Sequence, residues 1–114
     1  MLYLMLIYQD PARMKAASPD EQAAIAKGYG ELNTFLAQSG VGRGSATWPA
    51  GITTVRSREG KTLTTDGPYA ETREGVGGFF LVDVEDLDAA IKVAERVPGT
   101  RYGAVEIRPV KVDR

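Results

Sequence analysis

Two short stretches of this chain are apolar on both of their alternating faces, and they limit its possible folds more than any other feature. Over residues 2–8, Leu2, Leu4 and Leu6 form one set, and Tyr3, Met5 and Ile7 the other. Over residues 79–84, Phe79 and Leu81 lie on one side and Phe80, Val82 and Val84 on the other. A strand apolar on both faces is covered on both, so each should sit inside a sheet rather than at its rim.

The segments between them carry helix and turn signals. Ser18-Pro19-Asp20-Glu21 is a helix start, with Ser18 as the cap, Pro19 in the first turn and Glu21 able to reach back as a capping box. The spacing predicts a helix to about residue 39, stopped by Gly40, with Ala24, Gly28, Leu32, Phe35 and Leu36 as its buried stripe. Asp86 caps a second helix whose stripe is Leu87, Ala90, Ile91 and Ala94, closed at Val97-Pro98-Gly99. A strand is expected over 45–48. Threonine-rich arms over 52–58 and 61–65 flank Glu59-Gly60 as a β-hairpin. A last strand over 102–110 turns Val105 and Ile107 one way and Glu106 and Arg108 the other, and Pro109 suits only an edge.

The order is strand, helix, strand, hairpin, strand, helix, strand. Set aside the hairpin and it is βαββαβ: an α+β, ferredoxin-like fold in a single domain over 1–114. Both helices of that fold lie on one face of the sheet. The other face would leave half of each doubly apolar strand in water, and exposed apolar patches of several hundred Å² mark interfaces. A homodimer with its sheets face to face is therefore expected.

Composition excludes several chemistries. The chain has no cysteine and no histidine, so thiolate catalysis, disulfides and imidazole acid–base work are absent. Proton transfer would fall to Asp, Glu, Lys or Tyr, and no metal or cofactor is expected. Fourteen basic against 15 acidic residues give no basic excess for nucleic acid. The apolar run at residues 2–8 is too short for a membrane span, and a cytoplasmic protein without membrane contact is expected. Gly40-Val41-Gly42-Arg43-Gly44 looks like a phosphate loop, but it follows a helix and enters a strand, the reverse of the required context.

The chemistry-bearing stretch is residues 66–79, Asp66-Gly67-Pro68-Tyr69-Ala70-Glu71-Thr72-Arg73-Glu74-Gly75-Val76-Gly77-Gly78-Phe79. With its Asp66-Gly67-Pro68-Tyr69, the start of the chain (residues 2–8), Gly77-Gly78-Phe79 and the end (residues 105–110), the sequence resembles the YCII-related proteins. The likeness is to the branch named for an Asp-Gly-Pro-Phe (DGPF) signature, with Tyr69 standing where Phe is usual. The resemblance implies a dimeric α/β barrel whose relatives include small isomerases, monooxygenases and dehalogenating enzymes. Some YCII-type proteins resemble enzymes with a His–Asp pair, which this chain cannot supply. The branch is often encoded beside extracytoplasmic-function sigma factors, which implies a regulatory setting.

The candidate residues follow. Asp66 and Glu71 are candidate catalytic carboxylates; equally, Asp66 is a turn residue and Glu71 pairs with Arg73 to brace the loop. Tyr69, Arg73 and Tyr8 are candidate ligand contacts, Tyr69 alternatively plugging the loop onto the core. Glu106 and Arg108 either orient a ligand or set the register of a dimer. Two functions remain open: a small-ligand-binding or regulatory protein linked to sigma-factor control, and a cofactor-free isomerase, lyase or monooxygenase-like enzyme using the loop carboxylates.

Overall fold

The computed structural model describes residues 1–47, 51–67 and 75–112. Strand β1 (Leu2–Gln9) is followed by helices α1 (Pro11–Ala16) and α2 (Pro19–Ser39), strand β2 (Gly42–Thr47), the hairpin β3 (Thr53–Arg58) and β4 (Lys61–Asp66), strand β5 (Gly75–Asp83), helix α3 (Leu87–Ala94), a 3-10 turn (Pro98–Arg101) and strand β6 (Gly103–Val110). The main sheet has the order β2-β5-β1-β6, and β3-β4 form a second sheet of their own. Every pairing is antiparallel. This is the ferredoxin-like α+β arrangement with an inserted hairpin, and the two doubly apolar strands hold its centre.

Alternation along β1 separates two environments. Tyr3, Met5 and Ile7 are buried, Met5 completely, while Leu2, Leu4 and Leu6 between them are half-buried. The buried set meets Phe80 and Val82 of β5, Leu32 and Leu36 of α2, and Ala90, Val93, Ala94 and Val97 of the α3 segment in one core. Both long helices thus cover the same face.

The local signals explain the helix ends. The Ser18 hydroxyl accepts from the Glu21 N–H at 3.1 Å, and the Glu21 carboxylate accepts from the Ser18 N–H at 3.3 Å, a reciprocal capping box. Gly40, at φ 73°, stops α2 in the left-handed conformation that glycine adopts without strain. Asp86 caps α3 by accepting from the Ala89 N–H at 2.9 Å.

The structure also departs from the sequence reading. Asp10-Pro11 does not merely end β1. Asp10 accepts from the Ala12 N–H at 2.9 Å and starts α1, a six-residue helix. Ala24 is exposed, and the inner stripe of α2 runs instead through Ile25, Gly28, Tyr29 and Leu32. Leu87 and Ile91 are 51% and 41% exposed, because α3 turns Ala90, Val93 and Ala94 inward. Small residues there let the helix approach the sheet closely, which apolar spacing alone does not reveal. Strand β5 begins at Gly75, taking in the glycines that precede Phe79.

Those glycines have a steric role. Opposite the adjacent residues Ile7 and Tyr8 stand Gly78 and Val76, so Gly77 is an extra residue in β5, a bulge. A Cβ on Gly78 would lie 2.8 Å from the Ala46 carbonyl oxygen of β2.

The hairpin turns at Glu59 (φ 51°) and Gly60 (φ 75°), both left-handed, as a two-residue loop requires. It exposes Val55 and Leu63. It shares no strand pairing with the main sheet, and the radius of gyration, 16.2 Å, exceeds the roughly 13 Å of a compact chain this long. The hairpin is an arm.

Ser18→Ala removes half of the capping box and should lower unfolding stability by about 1 kcal/mol. Met5→Ala empties a fully buried site and should cost about 2–5 kcal/mol. Denaturant midpoints will rank the two, and equal losses would contradict the core described here.

Candidate functional site

At the end of the sheet where β1 and β2 stop, the helix-facing rows change from apolar to polar. Along β1 the inward set runs Tyr3, Met5, Ile7 and then Gln9. Along β2, Ser45 and Thr47 stand opposite Phe80 and Gly78 of β5, on the same face. From α2, Tyr29 and Asn33 are one turn apart and project from one side of the helix. Together they enclose a cavity of about 430 Å³ between α2 and the sheet, bounded below by Ile7, Phe80, Gly77 and Gly78. Phe80 and Gly78 are buried at its floor, and Asn33, Ser45 and Thr47 are exposed at its mouth. A volume of 300–1,000 Å³ with an apolar floor and a few placed polar groups is the usual form of a small-molecule site.

The lining is electrically neutral. Among the described residues it contains no Asp, Glu, Lys or Arg, and its titratable group is Tyr29. Burial pushes the Tyr29 phenol above its ordinary value, opposed by hydrogen-bond donors directed at its oxygen from the Gly99 backbone and the Gln9 side chain. Tyr29 is thus a protonated phenol at neutral pH. Its ring stacks on Phe80, with centroids 6.4 Å apart and planes 10° from parallel. The Gln9 amide lies against Gly77, where an added Cβ would come within 3.0 Å of Oε1. The glycine therefore gives this side chain its room.

A second hollow of about 360 Å³, between α2 and the 3-10 turn, is lined by Lys27, Glu31, Glu95, Arg96 and Arg101. Its Lys27–Glu31 pair, at 3.9 Å, is 80% and 69% exposed, and such surface pairs organise little. The neutral cavity is the better candidate.

The residues singled out from the sequence lie elsewhere or outside the described residues. Tyr69, Glu71 and Arg73 fall in 68–74 and are not described. Asp66 ends β4 opposite Thr53, exposed on the hairpin. Tyr8, Glu106 and Arg108 lie on the face of the sheet that no helix covers, with Leu6 opposite Glu106 and Leu4 opposite Arg108. The Arg108 Nε donates to Glu106 Oε1 at 2.6 Å, and this bond, with the pair's mutual attraction, raises the arginine's already high pKa. Leu2, Leu4, Leu6, Phe79 and Leu81, all half-buried, form an apolar field on β1 and β5 beside the pair. Gln9, Tyr29, Asn33, Ser45 and Thr47 were not singled out. The signal for them was periodicity: Gln9, Ser45 and Thr47 occupy helix-facing positions of their strands, and Tyr29 and Asn33 share one side of α2.

Fold and cavity together define a small ferredoxin-like α+β protein with a neutral pocket between helix and sheet. Over residues 1–112 the sequence matches the YCII-related domain, and the chain belongs to that family. It is 33% identical over 116 residues to an uncharacterized protein of Rhizobium meliloti (strain 1021), covering 96% of this chain and 92% of that protein. Among solved structures it is similar to 5-chloro-2-hydroxyhydroquinone dehydrochlorinase from Burkholderia phenoliruptrix AC1100, in complex with 2,5-dihydroxybenzoquinone. The TM-score is 0.51 at 16% identity, over 97% of this chain and 94% of that one. This second likeness is one of fold. Among the described residues, no helix is long and apolar enough to cross a membrane, and no cluster of acidic residues could hold a metal ion.

The raised Tyr29 pKa has a definite sign. Its folded-state value lies above the unfolded one, so the stabilisation is complete below about pH 10, the ordinary tyrosine value. It is lost as pH rises through the folded value, because the unfolded chain releases its proton first. Tyr29→Phe should therefore flatten the alkaline limb of stability above about pH 10 and leave the neutral region parallel to wild type. Melting curves from pH 7 to 11 check this, and an unchanged alkaline slope would sink it.

Proposed function

We propose that this YCII-related protein works as a homodimer that binds a small molecule in the cavity between α2 and the sheet. It acts as a ligand-binding or regulatory protein. The observation that carries this reading is the lining: a shaped, neutral ring of amides and hydroxyls over an aromatic floor, suited to holding a molecule. The described lining residues contain no carboxylate and no nucleophile–base pair. The regulatory setting implied by the Asp66-Gly67-Pro68-Tyr69 signature, beside sigma factors, fits a sensor.

The dimer is supported by the open face of the sheet. The half-buried Leu2, Leu4, Leu6, Phe79 and Leu81 form one apolar field, bordered along β6 by the paired Glu106 and Arg108. A second copy placed against this field would remove it from water, and the Glu106–Arg108 pair would fix the register of the two sheets.

A second reading keeps catalysis. The fold neighbour is a dehydrochlorinase, and β5, whose glycines floor the cavity, is entered from the stretch that carries Asp66 and Glu71. Here Asp66 and Glu71 transfer protons, while Tyr69 and Arg73 hold substrate. Asp66→Asn and Glu71→Gln would then abolish turnover of a compound that the protein still binds.

Light scattering at micromolar concentration should give twice the 12.3 kDa chain mass. Leu4→Lys should reduce it to a single chain; a wild-type mass of one chain would remove the dimer. Small uncharged aromatic compounds, beginning with phenol, should raise the melting temperature. Ligand at about 100 times its dissociation constant adds about 2.7 kcal/mol. Asn33→Trp, which fills the mouth, should abolish that gain; persistence of the gain would place the ligand elsewhere.

A further inference from the structure

We propose that the cavity selects an uncharged, flat molecule bearing a carbonyl oxygen, and that the Tyr29 hydroxyl donates its proton to that oxygen. This rests on the reading of the cavity as the binding site and narrows it to a ligand class.

Three observations converge. The described lining residues include no group ionised at neutral pH, so a charged ligand would leave water for neutral dipoles alone, which is costly. The cavity is bounded by planes: the Tyr29 and Phe80 rings are within 10° of parallel, and the Gly77-Gly78 backbone forms a wall without side chains. A flat molecule can meet such surfaces by stacking. The third concerns the phenol oxygen. A Cβ on Gly99 would lie 3.1 Å from it, so the backbone of the 3-10 turn closes one side of this oxygen. Burial keeps the phenol protonated at neutral pH, so the hydroxyl has a proton to give. The complementary ligand atom is therefore an acceptor without a proton, which a carbonyl oxygen supplies. Asn33, Ser45 and Thr47 at the mouth can bond a second polar group and leave the choice of substituent open.

The test uses three compounds of one shape with isotope-labelled full-length protein: acetophenone, ethylbenzene without the oxygen, and benzoate with a charge. Acetophenone should move the backbone amide signals of Ser45, Gly77 and Gly78 and bind about fivefold or more tighter than the other two, the worth of one neutral hydrogen bond. Tyr29→Phe should erase that advantage and leave ethylbenzene binding unchanged. If ethylbenzene equals acetophenone in wild type, the carbonyl assignment falls while the cavity reading stands. That comparison needs no variant, so it decides the matter even where Tyr29→Phe does not fold. Benzoate binding as tightly as acetophenone overturns the uncharged class. If none of the three moves those signals, the cavity reading falls and takes this inference with it.

Discussion

The antiparallel pairing of β1 with β5 is the constraint on which everything else rests. Its register sets Met5 opposite Phe80 and Tyr3 opposite Val82, and these four side chains form the floor on which α2 and α3 lie. The same register sets Leu4 opposite Leu81 and Leu6 opposite Phe79 on the other side. A slip of one residue would exchange the two faces and put the leucines under the helices. Core, cavity and open face are therefore products of one alignment. The cavity begins where the inward row runs out of apolar residues, at Gln9, and the bulge at Gly77 shapes the strand beside it.

Much of this was legible in the sequence because the signals were local or strictly periodic. The Ser18-Pro19-Asp20-Glu21 start, the Gly40 stop, the Glu59-Gly60 turn and the two central strands each follow from chemistry contained in a few neighbouring residues. What was not legible depended on distance and volume. Ala90 and Ala94 face inward as the spacing predicts, but Val93 joins them in place of Leu87 and Ile91, because α3 lies on the sheet through its short side chains. Helix α1 is held partly from afar, where the Arg13 guanidinium donates to the Arg101 carbonyl at 3.1 Å, a contact across 88 residues.

The candidate site was harder to read for a different reason. Charged and signature residues attract attention, and the charged set proved to lie on the hairpin, on the uncovered face, or outside the described residues. The cavity is built from side chains that are individually ordinary: an amide at a strand end, a tyrosine one turn from an asparagine, two hydroxyls on alternate residues. What makes them a set is that three separate elements deliver them to one place. Tyr29 is the clearest case. Its helical position says only that it faces inward. Its contact with Gly99 depends on the 3-10 turn, which lies far away in sequence.

The two rims of the main sheet carry a further consequence. Strand β6 carries Pro109 one residue before its end, and a proline has no N–H to offer an incoming strand. Strand β2, at the opposite rim, is short, has glycines at positions 42 and 44, and is kinked by the extra residue Arg43. Neither rim is a good template for endless strand addition. Association through the edges of the sheet is thereby steered away from open-ended polymerisation.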